Sequence, residues 1–83
     1  MISRIKELKP SSDYRLLVTF DDDVQVSYNV AEDIRTLPDF KPLLSETGLF
    51  ENVRLDESRT CVYWSDRIDL ASDTIREYGV PVR

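Results

Sequence analysis

The strongest constraint on this chain is a period of two on either side of three consecutive aspartates. Tyr14, Leu16, Val18 and Phe20 alternate with Arg15, Leu17 and Thr19. After Asp21-Asp22-Asp23, the residues Val24, Val26, Tyr28 and Val30 alternate with Gln25, Ser27 and Asn29. Successive strand residues face opposite sides, so each run predicts a half-buried strand. The aspartates between them predict a tight hairpin turn. A calcium loop would need alternate-residue ligands and a glycine, and this segment has neither. The expectation is therefore a solvated turn.

The rest of the chain follows from apolar spacing. Residues 1–9, with Ile2, Ile5 and Leu8, are read as an irregular strand ended by Pro10. Ala31, Ile34, Leu37, Phe40, Leu43 and Leu44 recur every three or four residues. Pro38 and Pro42 interrupt that stripe, which predicts two short helices with a bend, Pro42 opening the second and Gly48 stopping it. Residues 50–55 and 60–64 predict a second hairpin through Asp56-Glu57-Ser58-Arg59, and Ile68 and Leu70 continue its apolar pattern. A last helix is expected over 72–78, with Leu70, Ile75 and Tyr78 inward and Gly79 and Pro81 ending it. The sequence thus predicts one α+β domain over residues 1–83, in the order β-β-β-α-β-β-α. Its sheet is mainly antiparallel, with helices on one face.

Composition excludes several chemistries. There is no histidine, hence no imidazole base, ligand or pH switch. The single cysteine, Cys61, rules out an internal disulfide and a multi-cysteine zinc site. With no base to activate it, Cys61 is expected to act as a small core residue. The carboxylate pairs Glu32-Asp33, Asp56-Glu57 and Asp66/Asp69 show no spacing that demands catalysis, and no phosphate-cradling, nucleophile-elbow or zincin motif occurs. No catalytic residue, metal or cofactor is expected. An enzyme using Asp69 or Asp33 is the weakest of the readings, since neither has an identifiable partner residue.

The net charge is −5, and residues 13–33 carry six acids against one arginine. That balance disfavours direct nucleic-acid binding and suits a basic partner. No apolar run reaches the length of a membrane span, and the N-terminus lacks a signal-peptide core. The expectation is a cytoplasmic protein. Tyr63 and Trp64 are neighbours on one strand and must face opposite ways, so one of them is expected at a binding surface. Self-association through a sheet edge, most simply as a dimer, is also expected.

Phe50, Val53, Leu55, Val62, Trp64, Asp69, Leu70, Asp73 and Ile75 carry a resemblance. So do Tyr14, Leu16, Val18, Phe20, Tyr28 and Phe40-Lys41-Pro42-Leu43 upstream. In these positions the chain resembles the bacterial domain-of-unknown-function family numbered 2442, over nearly its whole length. The stretch from Trp64 to Asp69-Leu70 is the most specific. The chain departs from the pattern at Asp22-Asp23, where the family usually has Asp-Gly, and at Asn29, often Asp. The resemblance implies no assigned activity. It implies that short members are often encoded beside another small protein, as in a toxin–antitoxin pair with this domain as the antitoxin. Longer members add a helix-turn-helix, as in a regulator with this domain as its sensing or dimerising part. The first functional expectation is thus a non-enzymatic protein-binding module, antitoxin-like, for a small partner. The alternative is a small-ligand sensor or dimerising domain with a pocket between Trp64, Tyr28 and Phe40. The candidate binding residues are Tyr28, Phe40, Tyr63, Trp64 and Asp69.

Overall fold

A computed structural model describes residues 3–11 and 13–82. The fold is α+β, with two antiparallel sheets and short helices. The first sheet has the order β1 (Ile5–Pro10), β2 (Arg15–Phe20), β3 (Gln25–Asn29), β7 (Val80–Pro81). The second has the order β4 (Arg54–Leu55), β5 (Cys61–Ser65), β6 (Ile68–Ala71). In chain order α1 (Val30–Thr36) and α2 (Pro42–Ser45) come between β3 and β4, and α3 (Ser72–Tyr78) follows β6. Two strands lie beyond the expected order. Ile68 and Leu70 belong to β6, and β7 closes the first sheet against Val26 and Ser27. Ile2, part of the first expected strand, lies outside the described residues.

Alternation sets the core as expected. Leu16, Val18, Phe20, Val26, Tyr28 and Val30 are buried, and they join Val62, Trp64, Ile68 and Leu70 from the second sheet in one cluster. Val24 is the exception, at 36% exposure, because it sits in the turn before β3 begins. Pro38 and Pro42 divide the helical stripe as predicted, with α1 ending at Thr36 and Pro42 opening α2. The Asn29 side chain accepts from the Ala31 N–H at 3.1 Å and caps α1. Asn and Asp cap equally well, so the asparagine serves this helix as an aspartate would.

Residues 50–55 do not form the single strand expected. Phe50–Asn52 is a 3₁₀ turn, and only Arg54–Leu55 pairs with β5. The Phe50 ring is drawn into the core, at 3% exposure, and the local Asn52-to-Leu49 bond takes the place of a ladder. Tyr78 is also displaced, at 71% exposure rather than packed inward. It is the last residue of α3, and it lines an open surface hollow with Asn29, Glu32 and Thr74 instead of entering the core.

The three aspartates are exposed, yet they are not a merely solvated turn. Each takes a cation from a different element. Arg59, in the β4–β5 loop, makes a bidentate pair with Asp21 at 2.8 and 3.0 Å. Arg76 of α3 does the same with Asp22 at 3.2 and 2.7 Å, while its guanidinium lies 4.8 Å from the centre of the Phe20 ring. Lys6 of β1 reaches Asp23 at 2.8 Å. Asp23 is left-handed (φ 69°) and its N–H donates to the Phe20 carbonyl, as in a three-residue hairpin loop. The position favours glycine, and aspartate is among the few other residues that tolerate it, with the exposed Lys6 pair added to its side chain.

The hydrogen bonds from Arg76 hold the Asp22 carboxyl below its usual range. A depressed folded-state pKa contributes stability above the unfolded value of ~3.9, and that stability is lost as pH falls through the folded value. Asp22→Asn should therefore lower the neutral-pH denaturation midpoint and flatten the acid limb of the stability–pH curve. An unchanged acid limb would refute this role.

Gly79 meets a different demand. A Cβ there would lie 2.0 Å from Val26 Cγ1 and 2.6 Å from the Ile75 carbonyl oxygen, at ordinary backbone angles. Gly79→Ala should destabilise by about 1–3 kcal/mol through overpacking, as read from urea denaturation.

Candidate functional site

The second sheet has one buried face and one open face. Val62, Trp64, Ile68 and Leu70 point inward, while Tyr63, Ser65 and Asp69 point outward. Register places Arg54, Tyr63 and Asp69 side by side across the three strands. The register shifts between Tyr63 and Ser65, which adds a local irregularity beside the exposed tyrosine.

The open face bounds a shallow hollow of about 550 Å³. Asp56, Glu57, Asp66 and Asp69 surround Tyr63 and Cys61 there, and no basic side chain lines it. Arg54 flanks Tyr63 on the β4 side. The acids arrive by different routes. Asp56 organises the β4–β5 loop: its Oδ1 accepts the Thr60 and Cys61 N–H groups at 3.1 and 3.2 Å, and its Oδ2 accepts the Ser58 hydroxyl at 2.9 Å. The Ser58 bond, with help from the backbone N–H groups, holds that carboxyl below its usual range. Asp66 sits in the β5–β6 turn, and Asp69 pairs in register with Tyr63.

Cys61 is half-buried beside these acids. Burial first, then Asp69 and Asp56, push its thiol above the ordinary value. It stays protonated at neutral pH and is a poor nucleophile. Among the described residues, no group of three or more Cys, Asp or Glu side chains could hold a metal ion. No described helix is long and apolar enough to cross a membrane.

The five candidate residues separate into three places. Tyr63 and Asp69 meet on the open face. Phe40 and Trp64 meet in the core, edge to face with ring centres 6.3 Å apart. Trp64 also stacks on Phe50 at 5.8 Å and donates its indole N–H to the Phe50 carbonyl at 2.9 Å. Tyr28 stands apart, donating its hydroxyl to Asp33 at 2.6 Å. Burial, reinforced by that carboxylate, pushes the phenol upward. The pocket expected between Trp64, Tyr28 and Phe40 is thus replaced by aromatic packing around Trp64, with Tyr28 bonded elsewhere. Glu57 and Asp66 join the surface through loop geometry that spacing alone does not reveal.

This is a small α+β domain of two antiparallel sheets on a shared core, with an acidic outer face on the smaller sheet. The chain belongs to the family described as Protein of unknown function (DUF2442), whose model matches residues 5–81. No curated protein and no solved structure matches it.

Maleimide or iodoacetamide labelling of Cys61 should be slow at neutral pH, with a pH–rate midpoint above that of a free thiol. Asp69→Asn should move the midpoint down, since it removes one of the charges that opposes the thiolate. An ordinary midpoint in the parent protein would contradict this environment.

Proposed function

We propose that this domain is a non-enzymatic protein-binding module that receives a basic surface of a small partner on the outer face of β4–β5–β6. The observation that carries the reading is Tyr63, 36% exposed, standing in a hollow bounded by four carboxylates and no lining cation. Tyrosine supplies rigid contact area, and the surrounding acids supply long-range attraction to lysine and arginine. Chemistry has little support at the same place. The thiol is protonated, imidazole is absent, and Asp56 is committed to its loop.

An antitoxin-like role for a partner encoded next to this chain is the particular form of this reading. The acidic charge would then serve to mask a basic partner and to speed its capture.

Co-expression with the product of the adjacent reading frame tests it. A complex should co-purify at low salt and weaken as salt rises, because exposed charges are screened. Tyr63→Lys and Asp69→Lys should each abolish capture while circular dichroism stays unchanged. Failure to co-purify at low salt, or capture indifferent to both substitutions, would overturn the proposal.

A further inference from the structure

A second surface differs in character from the acidic face. Between α1 and α2 lies a cleft of about 460 Å³, lined chiefly by Tyr14, Ala31, Ile34 and Leu44, with Arg35 and Lys41 beside them. Leu44 is 62% exposed there, a large apolar side chain left in water. Its neighbour Leu43 is buried at 2%, so the single turn of α2 spends one leucine on the core and offers the other outward.

Two further observations bear on the same place. Tyr14 is left-handed (φ 64°), a conformation that bulky residues seldom adopt, and it holds the ring half-buried at the cleft wall. The charge is also reversed. In a chain of net charge −5, this cleft is lined by two cations and no acid. Arg35 pairs with Glu32, but among the described residues Lys41 makes no ion pair. The acids Glu46 and Glu51 lie in a separate hollow of about 210 Å³ that Tyr14 and Leu44 also line.

The dimensions select the occupant. The walls are helices of seven and four residues, so α2 offers about 6 Å of groove at 1.5 Å per residue. A docked helix presses apolar anchors along two or more turns and needs a longer groove. The volume suits a small molecule. We propose that the cleft binds a small free carboxylate with an apolar body, of the medium-chain fatty acid or arylalkanoate class. The body lies against Ile34, Leu44 and Tyr14, and the carboxylate meets Lys41 with Arg35. This inference does not rest on the acidic-face reading, which uses other residues.

Trp64 provides the reporter. It is the only tryptophan. It stacks on Phe50, whose ring lies 5.2 Å from that of Tyr14. The full chain is titrated with octanoate, phenylbutanoate and, as a charge-reversed control, octylamine, following Trp64 emission and thermal melting. Both carboxylates should shift the two signals saturably, and octylamine should not. Leu44→Asp should abolish the response, and Lys41→Gln should weaken it about tenfold, the loss of one charge-assisted bond. Should Leu44→Asp misfold by circular dichroism, Lys41→Gln alone decides. The proposal fails if neither carboxylate gives a saturable response, if octylamine matches them, or if Lys41→Gln leaves affinity unchanged. It also fails if a peptide with a free C-terminal carboxylate binds where the free acids do not.

Discussion

The grip of Arg59 on Asp21 and Ile5 joins the two halves of the molecule. Arg59 lies in the β4–β5 loop of the smaller sheet, and its guanidinium spans both carboxylate oxygens of Asp21 in the larger one. Its Nη1 also donates to the Ile5 carbonyl, and its own carbonyl accepts the Ile5 N–H at 2.7 Å. One residue therefore meets backbone of β1 and side chain of the β2–β3 turn together. Bidentate guanidinium–carboxylate geometry fixes orientation as well as distance, which a lysine at this position would not supply. Behind this junction a single apolar cluster runs from Ile5 to Ile75, so the sheets share a core that neither could fill alone.

The same junction explains how a chain with two glycines makes its turns. Tyr14, Asp23 and Arg59 are all left-handed without being glycine. Such residues persist where their surroundings over-determine them. Each has a side-chain anchor on another element: Tyr14 against Phe50, Asp23 on Lys6, Arg59 on Asp21. Turn strain and tertiary contact are thus located in the same residues. Flexible turns and a looser interface would be the other solution, and this sequence does not use it.

The first hairpin was readable because alternation over two runs, split by turn-forming aspartates, leaves few competing folds. The helix break at Pro38 and Pro42 was readable for an equally local reason, a missing N–H and a ring clash. What escaped depended on long-range pairing. The β7 strand exists because β3 has room for it, and nothing in Val80-Pro81 announces that. Phe50 reads as strand by its neighbours, but the core recruits its ring and bends the backbone. The acidic face was half legible. Adjacent Tyr63 and Trp64 required one outward ring, whereas the gathering of Asp56, Glu57 and Asp66 around it follows from two loops converging on one sheet. The candidates Phe40 and Trp64 looked like a ligand wall because aromatic residues serve cores and sites alike.

The two-residue strand at the C-terminal end has a protective consequence. Val80–Pro81 lies along Val26 and Ser27, and the Val82 N–H reaches the Gln25 carbonyl at 2.8 Å. At the opposite margin, β1 carries Lys6, Lys9, Pro10 and a shift in register, devices that discourage another chain from adding a strand. The β3 margin has no such device of its own along Gln25–Asn29 and is covered by this short return instead. Val80 and Val82 contribute little to the core, yet without this return the backbone of a well-formed strand would be bare. An uncovered edge of that kind is a template for pairing with another chain, and the short return shields β3 from it.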